Sequence, residues 1–178
     1  MTRKLGAAAL LLFLLTVPFA NWLIQHVGTV CAPEGPCLVP VAPGLLAPSG
    51  VLAAGAALVL RDVVQRCLGA GWGLAAIVAG TALSALIAPR SLVLASGAAF
   101  LLSEAADFAV YTPLQRRRLV LAVALSGGVG LVVDSVVFLL LAFGSLAFLP
   151  GQIVGKAWAV LFSLPLIRLL RRAVPTPA

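Results

Sequence analysis

The sequence predicts an all-α fold: a polytopic membrane bundle of six transmembrane helices with both termini on the cytoplasmic side. Three observations point there. The hydrophobic fraction is 62% and the charged fraction 10%, with a mean hydropathy of +1.17, far from the roughly half-apolar, quarter-charged make-up of a soluble domain. The apolar residues fall into six runs, each near the ~20 residues that a bilayer core requires. The basic residues gather where those runs end, on one side of the resulting membrane.

The runs extend from Leu5 to Ile24, Leu45 to Val64, Trp72 to Ala88, Ser91 to Pro113, Leu119 to Phe143 and Phe148 to Leu170. In lipid every backbone polar group must be paired within its own segment or in a closed barrel. These runs lack the strict alternation of a barrel strand, so they are expected to be helices. Six crossings of 178 residues leave only short loops, which makes residues 1–178 a single integral membrane domain. An alternative for the first run is a signal peptide, because Arg3 and Lys4 precede an apolar stretch ending at Pro18, Phe19 and Ala20. The length of the stretch and the proline near its end fit a span better.

With the N-terminus inside, the cytoplasmic segments carry Arg3, Lys4, Arg61, Arg66, Arg116, Arg117, Arg118, Arg168, Arg171 and Arg172, whereas the outer loops carry Arg90 alone. An odd number of crossings would destroy this asymmetry. The net charge of +7 is therefore read as a topology signal. A nucleic-acid partner, which needs a basic face in water, is not expected. Cys31 and Cys37 fall in the first outer loop, where an oxidising exterior permits a disulfide. Five intervening residues with two prolines leave both the bridge and two free thiols open. His26 is the only histidine, and no metal-ligand spacing appears; no cofactor is expected.

Glu104, Asp107, Asp134 and Lys156 lie well inside runs, where an unpaired charge costs on the order of 3 kcal/mol or more. They must face the bundle interior. Glu104 and Asp107 are three apart and Tyr111 is four further on, which places them along one helix face. Asp134 follows the small residues SGGVG, and Lys156 ends GQIVGK; such glycines admit either a close helix neighbour or a ligand. Counting along adjacent helices at ~1.5 Å per residue puts Asp134 and Lys156 at a common depth. One reading of these charges is an internal ion-pair network. Three acids against one base leave a surplus of acceptors, which a site for a donor-rich solute explains. Asp62 beside Arg61 closes the second run as an interfacial ion pair or as a gate. Asn21 and Gln25 at the outer end of the first run have the hydrogen-bonding capacity to meet a ligand.

The segments ANWLIQ, LRDVVQRCLG, ASGAAFLLSEAADFAVYTPLQ, LSGGVGLVVDSVVFLLLAFGS and PGQIVGKAWAVLFSLPL resemble, in that order, the queuosine precursor transporter family, also called the VUT or vitamin uptake family. The resemblance touches five of the six runs. It implies a six-helix carrier of the cell inner membrane for 7-deazapurine bases such as preQ0 and preQ1. It places Asn21, Gln25, Asp62, Glu104, Asp107, Asp134 and Lys156 at polar positions of the family pattern, as substrate-binding residues. The chemistry is consistent with that assignment. A guanine-like edge presents a ring N–H beside an exocyclic amine, and the carboxylate of Glu104 or Asp107 can accept both. The acceptors of the opposite edge suit Asn21, Gln25 or Lys156, and Trp158 or Phe108 would cover the ring face.

Two other classes compete. A binding subunit that needs a separate ATP-driven module is one alternative; the chain has no phosphate-binding glycine loop of its own, which fits a solo carrier equally. An intramembrane enzyme would need a nucleophile and base inside the bundle, and the single histidine lies in an outer loop. The partners expected are the small-molecule base and the lipid bilayer, with a homo-oligomer left open.

Overall fold

Long apolar stretches free of helix-breaking clusters give six helices: α1 (Thr2–His26), α2 (Val51–Leu68), α3 (Ala70–Ile87), α4 (Val93–Leu114), α5 (Leu119–Phe143) and α6 (Leu149–Ala173). The computed structural model describes residues 2–31, 36–88 and 90–173, except for the side chains of residues 2, 91 and 170–173. The topology charges Arg171 and Arg172 therefore lie outside the described side chains. Five helices, α1, α3, α4, α5 and α6, are long and apolar enough to cross a membrane. Their outer faces carry side chains such as Leu11, Leu12, Phe19, Val78, Leu94, Phe162 and Leu169, all exposed. An apolar exterior around a polar interior is the arrangement a lipid solvent selects.

The sixth helix, α2, is the exception that organises the rest. It carries Arg61, Asp62 and Arg66 and is too charged for a lipid-facing span. Accordingly it touches every other helix of the bundle. Twelve of its eighteen residues are buried, against 28–39% of the apolar window in each of the other five. A helix that cannot face lipid is stable only when protein surrounds it. The one-residue link between α2 and α3 is Gly69, whose φ of +99° lies where a side chain is strained. It folds the two helices into an antiparallel pair.

The segment between α1 and α2 adds a small sheet to the helical bundle. It forms a three-stranded antiparallel sheet, β1 (Val30–Cys31), β2 (Cys37–Ala42) and β3 (Leu45–Pro48), with β2 in the centre. Leu45 to Pro48, expected as the start of the second span, is thus a strand paired with residues 38–42. Pro48 restricts the residue before it to extended backbone, and Ser49-Gly50 delays the helix to Val51. Cys31 and Cys37 stand opposite each other in the β1–β2 ladder and form a disulfide.

The sheet lies against α6. Gly151 of α6 sits so close to the Leu46 carbonyl that no Cβ would fit, and Gly155 packs on Val51 and Val41. In the fifth helix Gly127 faces Val160 of α6, and Gly130 faces Leu58 and Asp107. Each of these four glycines is therefore used for close packing.

Candidate functional site

Two helices bring their charges to one place. Arg61, near the middle of α2 and fully buried, receives carboxylates from two elements. Its Nε donates to Glu104 Oε2 at 3.2 Å, its Nη2 pairs closely with Asp107, and the same Nη2 lies 3.0 Å from Asp62 Oδ1. The Glu104 and Asp107 side chains come from one face of α4, as their spacing of three requires. Arg61 Nη1 donates to Gln65 Oε1 at 2.8 Å, and Gln65 Nε2 donates to Thr112 Oγ1 at 2.9 Å. Ser126 of α5 donates to Asp62 Oδ2 at 3.3 Å, and Tyr111 donates to the Asp62 carbonyl at 3.2 Å. The guanidinium also lies 5.6 and 5.5 Å from the ring centroids of Phe108 and Tyr111. A planar fork with several donors suits this role in a way that a point-charge ammonium does not.

A second pair lies nearer the sheet. Lys156 of α6 donates to Asp134 Oδ2 at 2.5 Å and to Ser135 Oγ at 2.9 Å, and Ser103 of α4 donates to Asp134 Oδ1 at 3.4 Å. Lys156 is almost wholly buried, whereas Asp134 is 17% exposed. That partial exposure opens onto a cavity of about 100 Å³.

The cavity is walled by the sheet-side ends of the helices. It is bounded by Val17, Asn21 and Ile24 of α1, Val51 and Ala54 of α2, Phe100 of α4, Asp134 and Phe138 of α5, and Gln152 and Lys156 of α6. Pro48 of β3 and Ser84 of α3 complete it. That space is several times the roughly 10–15 Å³ minimum that a single water needs. The wall is mostly apolar with a few polar groups, the usual composition of a small-molecule site. Among the described residues no His, Cys, Asp and Glu cluster would hold a metal ion.

Of the residues singled out from sequence, Asn21, Asp134 and Lys156 meet at this cavity. Asp62, Glu104 and Asp107 are gathered instead around Arg61, in the half of the bundle away from the sheet, and do not line the cavity. Gln25 is exposed, and its Nε2 donates to the Asn21 carbonyl at 2.8 Å. Asn21 Nδ2 donates to the Val17 carbonyl at 2.9 Å, within its own helix.

Two expectations need correction. Arg61 lies inside the bundle and not at the cytoplasmic edge, so the interior holds Asp62, Glu104, Asp107 and Asp134 against Arg61, Arg66 and Lys156, not three acids against one base. The aromatic rings at the cavity are Phe100 and Phe138. Phe108 lies by the Arg61 guanidinium, and Trp158 donates to the Val41 carbonyl at 3.1 Å and stacks on Phe162. The residue that sequence reasoning passed over at the cavity is Gln152. Its signal was present: it lies four residues before Lys156 and therefore on the same helix face.

Comparison with known proteins adds one match. The family model described as "Putative vitamin uptake transporter" matches residues 85–178, which takes in α4, α5, α6 and the Asp134–Lys156 pair. No curated protein matches the chain, and no solved structure does. The matched segment is more than half of the sequence, and the chain belongs to this vitamin uptake transporter family.

Proposed function

We propose that the chain takes up a queuosine precursor, a 7-deazapurine base such as preQ0 or preQ1, across the cell (inner) membrane, with the sheet-side cavity as its substrate site. The observation that carries this reading is the cavity itself: a mostly apolar space of about 100 Å³ with the Asp134–Lys156 pair in its wall. Apolar walls suit a flat ring, and the few polar groups suit a heterocycle with donors and acceptors on its edges. Asn21, Lys156 and Asp134 are the proposed contacts. Asp134 also offers negative charge to a base carrying an aminomethyl cation.

In this reading all six helices cross the bilayer and both termini are cytoplasmic. The charge asymmetry supports that orientation even with Arg61 removed from the count, since Arg90 remains the single outer-loop cation. It also puts the Cys31–Cys37 disulfide on the exterior, where such bonds persist. The cavity then faces outward. Asp62, Glu104 and Asp107 close the cytoplasmic half through Arg61, and opening that network exposes their carboxylates to the base as it passes inward.

Uptake of radiolabelled preQ1 and preQ0 into proteoliposomes that contain this chain alone tests the proposal. Saturable uptake that excess unlabelled base suppresses is the expected result. Binding without uptake would instead favour a capture subunit that needs a separate energising module, and absence of both would refute the substrate assignment.

A further inference from the structure

We infer that Gln152 is the specificity-determining residue of the cavity, its side-chain carbonyl accepting a hydrogen bond from a ring N–H of a flat lactam-type heterocycle. This rests on the proposed uptake of a 7-deazapurine and names the contact that would recognise it. Gln152 is 3% exposed, lines the cavity, and its Oε1 has no hydrogen-bond partner among the described residues. A buried polar group without a partner is destabilising, and native proteins keep few of them.

The amide is held in that position by the backbone around it. Gly151 lies against the Leu46 carbonyl and Gly155 against Val51 and Val41, while Gly55 of α2 presses on the Lys156 backbone. The first two turns of α6 are thus clamped between the sheet and α2, and the helix cannot turn Gln152 toward lipid or solvent. One helical turn further on, Lys156 Nζ lies on the same face and is committed to Asp134 and Ser135. The ammonium offers positive charge to a ring carbonyl, and the neighbouring Gln152 Oε1 offers an acceptor. Together they complement an edge on which a carbonyl and an N–H stand side by side. A lactam-type edge of a purine-like base has that arrangement.

The inference makes stability and binding move in opposite directions. Gln152→Leu removes the unsatisfied atom while filling nearly the same space, so the unliganded variant should melt no lower than the parent. Its affinity for 7-cyano-7-deazaguanine (preQ0), measured by calorimetry on the purified full chain, should fall at least tenfold. The N1-methyl derivative of the same base lacks the ring N–H. It should bind the parent at least tenfold more weakly than preQ0 does, and the penalty for methylation should largely vanish in Gln152→Leu.

If the parent binds preQ0 and Gln152→Leu binds it equally, the role of Gln152 is overturned while the substrate reading stands. An undiminished methylation penalty in the variant overturns it likewise. Failure of the parent to bind either base overturns the substrate reading, and this inference with it. Should Gln152→Leu fail to fold, Gln152→Met, which matches glutamine in length and flexibility, takes its place in the same measurements. If Gln152→Met also melts lower than the parent, the amide supports the fold and the inference is overturned.

Discussion

Lys156 Nζ lies 2.5 Å from Asp134 Oδ2, so a single ammonium ties α6 to α5 at the wall of the cavity. Its second neighbour, Ser135 Oγ at 2.9 Å, fixes the ammonium from the same helix as the carboxylate. Removing either charge leaves the other partly enclosed without its counter-ion, which is more costly than removing both. Asp134→Asn and Lys156→Met should each lower stability by about 2 kcal/mol, less than for a fully enclosed pair because Asp134 is partly exposed. The double variant should recover part of that loss. Thermal unfolding of the four proteins in detergent gives the coupling energy, and additive losses would show that the two side chains do not interact.

Arg61 should be the least replaceable charge. Arg61→Met strands the carboxylates of Asp62, Glu104 and Asp107 in the buried interior, with an expected loss of about 3–5 kcal/mol and poor accumulation in the membrane. Arg61→Lys should rescue little, because one ammonium cannot reproduce the separate Nε, Nη1 and Nη2 contacts. Fluorescent-fusion yield and detergent melting would measure both variants. A wild-type level for Arg61→Lys would show that charge alone suffices there.

Gly151→Ala tests the docking of α6 on the sheet. The added methyl meets a backbone carbonyl, at Leu46, which cannot swing aside as a side chain would. Overpacking of this kind costs about 1–3 kcal/mol, and because the same turn carries Gln152 it should weaken ligand binding as well. Gly128→Ala, within α5 and with open space around it, is the control and should leave binding unchanged without lowering stability.

Topology is checked by labelling. A cysteine placed at Arg117 should react with a membrane-impermeant maleimide only after the cells are opened, whereas one placed at Gly44, in the β2–β3 turn, should react in intact cells. Reaction of both from the same side would refute the six-span arrangement. The Cys31–Cys37 bridge closes a loop of few residues, so Cys31→Ser with Cys37→Ser should cost about 2 kcal/mol. Reduction should reproduce the effect in the parent.

Residue depth was legible in the sequence where helix boundaries were legible. The fifth helix was predicted at its observed ends, Leu119 and Phe143, and counting from those ends put Asp134 and Lys156 at the same depth. For α2 the same counting misled, because the apolar run Leu45–Leu46-Ala47 merges with the helix and hides six residues of strand and turn. Starting the helix at Val51 makes Arg61 the eleventh of eighteen residues, in the interior; starting it at Leu45 pushes Arg61 to the membrane edge. Periodicity cannot separate a short apolar strand from a helix start. The Arg61 network was illegible for a second reason, since its partners Glu104 and Asp107 lie more than forty positions away.

The single-residue Gly69 link also bears on how the chain enters the membrane as it is made. Each charged side chain at the centre of a helix adds roughly 2.5–3.5 kcal/mol to the free energy of insertion, and α2 carries two near its middle, Arg61 and Asp62, with Arg66 in its last turn. On its own it would be rejected by lipid, while α3, with no charge in Ala70–Ile87, would insert readily. In the six-span arrangement proposed above, the two cross as a hairpin joined through one glycine, the apolar arm carrying the charged one. The acids that finally neutralise Arg61 are on α4, which emerges from the ribosome later. Until α4 is made, the polar partners that Arg61 has in the fold are limited to Asp62 and Gln65 of its own helix.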